Sequence, residues 1–232
     1  MERPYALLER EYARLASTTA ASWNFLRHVI DFPSKPSAVL DIGAGGSDVT
    51  AVLLKRGHRA FAIDYRFEDP SVIRKKVEES YTKRDPNSPL RQYWAQLTRE
   101  QEQSLVVFDQ SVRENPSNYI AATGTALPFK DETFDLVFSV NAITEYLALN
   151  KHLLQDTVFE SLRVAKPGGR VELFPLKLEP QDPDKMSIAE GITMIIKKIN
   201  YRRLFERLVQ EGIDYEIVPV GSTDQKLIIH KD

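Results

Sequence analysis

Apolar residues in this chain follow two alternating rhythms. Short, nearly continuous apolar runs occupy 38–42, 59–64, 119–122, 134–140, 170–175, 215–220 and 226–230, and each reads as a strand, those at 38–42 and 134–140 as buried ones. Between them apolar residues recur at helical spacing. Leu8, Tyr12, Leu15, Trp23, Leu26, Val29 and Ile30 do so over 5–30, and Val49, Ala51, Val52, Leu53 and Leu54 over 48–56. Leu153, Leu154, Val158, Phe159 and Leu162 share one face of a helix over 153–164, and a long helical stretch over 188–210 stops at Gly212. Pro33 and Pro36 close the first helical region, and Gly57 stands where a helix C-terminus needs a residue of positive φ. Strands alternating with helices, then two closing strands, predict one α/β domain over 1–232. Its sheet is mostly parallel, doubly wound and seven-stranded, with an antiparallel C-terminal strand pair. Residues 1–36 form an N-terminal helical cap. The stretch 67–117 breaks the pattern: it is charged, holds Pro70, Pro86, Pro89 and Pro116, and contains helical pieces at 72–81 and 91–102. It reads as a helical insertion or lid.

The richest chemistry lies where the first strand ends. Ala38-Val-Leu-Asp-Ile breaks into Gly43-Ala44-Gly45-Gly46, and Ser47 and Asp48 then open a helix as candidate N-caps. Glycines allow positive φ and let a ligand approach the backbone. A strand, a glycine turn and a helix start form the first unit of a nucleotide-binding sheet. The dinucleotide fingerprint is incomplete, because Asp48 occupies the place of its third glycine. The second strand ends in Asp64, 19 residues after Gly45, where a carboxylate accepts from ribose hydroxyls. Tyr65 follows it as a candidate to pack on adenine.

Charge and composition remove several classes. The 31 Lys and Arg nearly balance 33 Asp and Glu, so no bulk positive field attracts nucleic acid or an acidic membrane. The cluster Lys197, Lys198, Arg202, Arg203 and Arg207 reads as a solvated helix face. Without cysteine the chain has no disulfide and no thiolate nucleophile, and its four histidines show no metal-ligand spacing. The apolar runs are too short to span a bilayer, which needs ~20 residues, and the charged start at Met1-Glu-Arg is unlike a signal peptide. These features predict a cytoplasmic protein with no metal, no membrane and no nucleic-acid partner.

Four blocks occur in order: Val39-Leu-Asp-Ile-Gly-Ala-Gly45; Ala62-Ile-Asp64; Leu127-Pro-Phe129 with Phe134-Asp-Leu-Val137; and Glu160-Ser-Leu-Arg-Val-Ala-Lys166-Pro-Gly-Gly-Arg170. Over about residues 38–175 the chain resembles the class I S-adenosylmethionine-dependent methyltransferases, which have a Rossmann-like fold. The resemblance implies S-adenosylmethionine as cofactor and S-adenosylhomocysteine as product. It sets the loop at Gly43, Ala44 and Gly45 against the methionine end, with Asp41 orienting the loop or accepting from the cofactor's amino group, and Asp64 on the ribose. It also places Ser139 and Asn141 at the end of the fourth strand, facing cofactor and acceptor. Lys166–Gly169 is implied to be a structural turn.

Two features depart from the family. Thr123, beside Gly124, replaces the aspartate that meets the adenine amino group, and a hydroxyl accepts there without charge. Asp64 and Thr123 stand 59 residues apart, about twice the family spacing, which locates the insertion. For catalysis the candidates are Glu145 and Tyr146, although Glu145 is equally suited to capping the following helix. His152 is a weaker base candidate, and Tyr5, Tyr12 and Trp23 are candidate covers of the acceptor pocket. The Asn/Asp-Pro-Pro-Tyr signature of amide and nucleobase N-methylation is absent. The expected activity is methyl transfer to oxygen or nitrogen of a small molecule. A peptide or protein acceptor docked on the insertion, and a binding module without turnover, are the alternatives. An NAD-dependent dehydrogenase fits poorly, given the missing third glycine.

Overall fold

A computed structural model describes residues 22–82, 91–178, 186–220 and 224–232. The predicted alternation is present. In chain order the elements are α1 (Trp23–Leu26), β1 (Ala38–Ile42), α2 (Val49–Lys55), β2 (Arg59–Ile63), α3 (Ser71–Thr82), α4 (Arg91–Glu114), β3 (Tyr119–Ile120) and β4 (Phe134–Val140). They continue with α5 (Lys151–Val164), β5 (Ala165–Phe174), α6 (Ile188–Gln210), β6 (Tyr215–Val220) and β7 (Asp224–His230). The seven strands form one sheet in the order β3-β2-β1-β4-β5-β7-β6. β7 runs antiparallel to both of its neighbours and every other pairing is parallel.

β1 is buried along its whole length because both sheet faces are covered. On one face Leu154, Val158 and Leu162 of α5 and Tyr201, Leu204 and Leu208 of α6 pack with Leu40, Val137 and Val171. On the other, Trp23, Leu26, Val29 and Ile30 pack with Val49 and Leu53 of α2 over Val39, Leu136 and Phe138. Of the helix expected over 5–30, the described residues form only Trp23–Leu26, and turns follow over 27–29. Tyr5 and Tyr12 lie outside the described residues.

The insertion makes a third cluster, with Ile73, Val77, Leu105 and Phe108 on Ala62 and Tyr119. Its second helix runs on to Glu114, well past 102, because Leu105, Phe108 and Val112 keep the helical spacing that buries one face. α6 matches its expected bounds. Ser187 and Glu190 form a reciprocal capping box at its start, and Gly212 takes φ +69° just past its end.

Two local expectations change. Asp48 stands at the N-cap of α2, but its carboxylate does not cap that helix. It accepts the Trp23 N–H at 2.6 Å instead, tying the N-terminal segment to the glycine loop, while Ser47 Oγ accepts from Val49 N–H. Burial is the main reason the Asp48 carboxyl is pushed up. Second, Lys166–Gly169 is no turn ahead of a strand. β5 begins at Ala165, and the segment bulges within it, so that Arg170 stands opposite Leu136 although Ala165 pairs with Phe134. Gly168 has φ +74°, and a Cβ on Gly169 would come within 2.9 Å of the Lys166 carbonyl oxygen. The bulge is held by Gly168 N–H to Lys231 O and Lys231 N–H to Gly169 O.

The motif residues around it are mutual clamps. Glu160 accepts the Leu127 N–H, Arg163 donates to the carbonyls of Leu127 and Phe129, and Lys166 Nζ reaches Asp135 at 2.7 Å. On β5 a fully buried carboxylate, Glu172, accepts from Lys226 Nζ of β7 at 2.9 Å, Arg170 Nε at 2.7 Å and Asp31 N–H at 3.1 Å. Among the described residues no helix is long and apolar enough to cross a membrane.

Candidate active site

The carboxyl ends of β1, β2 and β4 converge, and the predicted residues gather there. Gly43 and Gly45 take φ +75° and +56°, conformations that L side chains disfavour. At Gly43 a Cβ would fall 2.1 Å from the Ala142 Cβ, so the loop after β4 packs directly on this backbone. Gly43 and Ala44 donate to the Ile63 carbonyl, at 2.8 and 3.2 Å, and Gly45 N–H donates to Asp64 Oδ2 at 3.0 Å. These three amides are thus satisfied within the protein, and what the glycines contribute is close approach rather than free donors.

Asp64 ends β2 and is almost fully buried. The turn Tyr65–Glu68 carries Arg66 back over it, with Nε to Oδ1 at 2.8 Å and Nη2 to Oδ2 at 2.6 Å, and Arg66 N–H also reaches Oδ1 at 2.9 Å. Asp64 in turn holds the Arg66 guanidinium above its ordinary range despite burial. Tyr65 lies exposed beside it, its ring centroid 5.6 Å from the guanidinium carbon.

Asp41, the next-to-last residue of β1, is buried as well. Burial, and then the charge of Asp64, push its carboxyl well above the usual range. No hydrogen bond from a described residue offsets this, so a cation beside the pair is the chemistry that would relieve it.

β4 ends at Val140, and Asn141 then takes φ +65°, a strained value for a residue with a side chain. Its N–H donates to the Phe174 carbonyl at 2.7 Å, which also accepts from Thr144 Oγ1. A π-helical turn, Ala142–Tyr146, follows; such turns are frequent at functional sites. Ser139 is fully buried, its hydroxyl donating to the Ile42 carbonyl and accepting from Ile143 N–H, so it bridges β1 and β4 rather than facing a ligand.

Glu145 sits between two lysines, Lys197 Nζ at 2.5 Å and Lys177 Nζ at 3.0 Å. Against the effect of burial they hold its carboxyl below the usual range, so it stays ionised and is a weak base. Tyr146 is exposed, and partial burial raises its phenol, which also feels Arg66 and Glu145. Thr123 is exposed past β3, within reach of Thr125 Oγ1, and Gly124 packs where a Cβ would strike Thr157. His152 is exposed on α5. No group of three or more His, Asp or Glu suited to a metal occurs among the described residues.

Three side chains here escaped the sequence reading: Arg66, Lys177 and Lys197. Lys197 had been grouped with a solvated basic face, yet it is buried against Glu145. Elsewhere on that face Arg202 pairs with Glu206 and Arg207 with Glu211.

A family described as "Methyltransferase domain" matches residues 80–173, the stretch that carries the second pair of motif blocks. No curated protein matches the chain. Among solved structures, a candidate O-methyltransferase of Nostoc punctiforme superposes with a TM-score of 0.52 at 12% identity, over 95% of this chain and 60% of that one. A protein of Pyrococcus horikoshii gives 0.49 at 15% identity, over 96% and 92%. A SAM-dependent methyltransferase of Aquifex aeolicus gives 0.45 at 16%, over 98% of both. At such identities the superposition speaks for the fold alone. The family match thus spans 80–173, and the seven-stranded sheet order belongs to the same fold as the superposed Nostoc structure.

Proposed function

We propose that the pocket edge formed by Asp41, Gly43–Gly45, Asp64 and Tyr65 holds S-adenosylmethionine, and that the methyl group goes to an oxygen or nitrogen of a small molecule. The observation that carries the cofactor site is the buried carboxyl pair Asp41 and Asp64 at the ends of adjacent parallel strands. S-adenosylmethionine brings a sulfonium and an ammonium, the cations such a pair favours. Its bound form supplies an electrophilic methyl group, and the chain's part is to align an acceptor with it. Alignment alone supplies ~7–11 kcal/mol of a barrier.

In this reading Asp64 accepts from the ribose, Tyr65 covers the adenine and Thr123 receives the adenine amino group near Gly124. Asp41 faces the charged methionine end, while Ala44 joins the site to the insertion on which it packs. Ser139 and Asn141 shape the wall beyond the sulfur, one by bridging strands and one by its strained backbone. Glu145, paired with two lysines, positions the turn that presents Tyr146. A weak base at this point suits acceptors with little need to lose a proton, such as a neutral amine or an oxygen already ionised.

The acceptor edge carries exposed aromatic rings, those of Tyr65 and Tyr146. Such a surface favours an acceptor with an apolar or aromatic body. The test is incubation with methyl-labelled S-adenosylmethionine and a cell extract split by size. Label in the small-molecule fraction, lost with Asp64→Ala, is the expected result. Label confined to protein would move the acceptor to a peptide docked on 67–117, and no transfer at all would leave a binding module.

The site also has a pH signature. A carboxyl whose pKa is raised in the folded chain keeps its proton at a pH where the unfolded chain has lost it. Asp41 therefore favours the folded state less and less as pH rises toward its raised value. A cationic ligand next to it reverses the preference, so binding expels the proton and affinity climbs with pH over the same window. Calorimetry at about pH 5 to 8 in buffers of different ionisation enthalpy should show proton release on binding S-adenosylmethionine. Asp41→Asn should abolish that release and, by removing a buried ionisable group, raise the melting temperature by about 3 °C, equivalent to ~1 kcal/mol. Buffer-independent heats would contradict the assignment.

A further inference from the structure

The Asp64 carboxylate is saturated from within the protein. Oδ1 accepts Arg66 N–H and Nε, and Oδ2 accepts Gly45 N–H and Arg66 Nη2, which fills the four lone-pair positions a carboxylate offers. Only 2% of the Asp64 side chain and 13% of the Arg66 side chain are exposed. A ribose laid on Asp64 needs acceptor positions that the guanidinium now fills. The Gly45 and Arg66 amides are fixed by the loop and the turn, so the guanidinium is the partner free to leave.

We propose that Arg66 competes with the cofactor's ribose for Asp64 and is displaced on binding, so that Arg66 sets cofactor affinity from within the site. This rests on the reading of Asp64 as the ribose acceptor. The exposed ring of Tyr65 already lies 5.6 Å from the guanidinium carbon, so this contact is retained as the side chain leaves the carboxylate. Outward movement also carries the guanidinium toward solvent and past Tyr146, whose phenol already feels its charge. An arginine rather than a lysine suits such a latch, because its planar fork covers both oxygens at once.

The experiment is calorimetric titration of S-adenosylhomocysteine into the full chain, as wild type, Arg66→Ala, Arg66→Lys and Asp64→Asn. Arg66→Ala is expected to bind about tenfold more tightly than wild type and Arg66→Lys in between, while Asp64→Asn loses most of the affinity. A second readout follows Arg66 itself by nitrogen-15 spectroscopy of its Nε–H. That proton should exchange slowly in the free protein and quickly once S-adenosylhomocysteine saturates it. Equal or weaker binding by Arg66→Ala, or an Nε–H signal unmoved at saturation, overturns the displacement while leaving Asp64 as a ligand. If S-adenosylhomocysteine binds none of the four proteins, the cofactor site is wrong and the displacement falls with it.

Discussion

Alanine in place of Asp64 should weaken S-adenosylhomocysteine binding by about 100-fold or more. Two hydrogen bonds from ribose hydroxyls to a charged acceptor are together worth ~3 kcal/mol or more, about two powers of ten in Kd. The same substitution removes the acceptor of the Gly45 N–H, so the loop loses an anchor at its point of positive φ. It also frees the Arg66 guanidinium and lifts the charge that opposes ionisation of Asp41. These side effects act in opposite directions on the folded chain, so the melting temperature should change far less than the affinity. Calorimetry and a thermal melt on the same preparation separate the two. A variant that melts normally yet binds within threefold of wild type would remove Asp64 from the ribose.

The second large effect lies in the frame. Glu172→Ala should destabilise the chain by ~3–5 kcal/mol, the range measured when one partner of a buried ion pair is deleted. Glu172 is fully buried on β5, and its partners are Lys226 of β7, Arg170 and the Asp31 N–H. Lys226 would keep only Asp31, at 2.5 Å, whose side chain is mostly exposed. Arg170 would keep its hydrogen bond to the Asp31 carbonyl. The network joins the sheet's antiparallel strand to the N-terminal segment, so its loss loosens both. For a chain of this size the melting temperature should fall by roughly 10 °C. Replacing Glu172 by leucine and Lys226 by methionine together should recover much of this, because an apolar pair needs no counter-charge. Urea titrations give the numbers, and a loss below ~1 kcal/mol would show that the network is not buried as described.

What could be read from the chain was what burial writes into it. β1 and β4 stood out because sheet strands covered on both faces become apolar runs, and α6 was bounded correctly because its helical spacing stops at Gly212. The Lys166–Gly169 segment reads as a break, and its backbone does break. Whether the ladder resumes depends on Phe134, Asp135 and Lys231, residues far away in the chain. Asp48 looked like a cap for its own helix, but the Trp23 amide claims its carboxylate.

The site divides in the same way. Asp64 was legible from its place at a strand end. Its saturation by Arg66 was not, because that needs the turn at 65–68 to bring a guanidinium back over the preceding carboxylate. Glu145 was named as a candidate base, yet its partners arrive from β5's outgoing loop and from α6, and no local spacing announces them. Ser139 was named for the ligand wall, and only the sheet reveals that its hydroxyl bridges to Ile42.

The central claim is that the cofactor lies across the carboxyl ends of β1 and β2 with its ribose on Asp64. A crystal structure of the chain soaked with S-adenosylhomocysteine tests this most directly. The account predicts both ribose hydroxyls within ~3 Å of the Asp64 carboxylate oxygens, the amino-acid end near Asp41 and the Arg66 guanidinium turned away. A ribose bound elsewhere, with Arg66 still closed over Asp64, would contradict it.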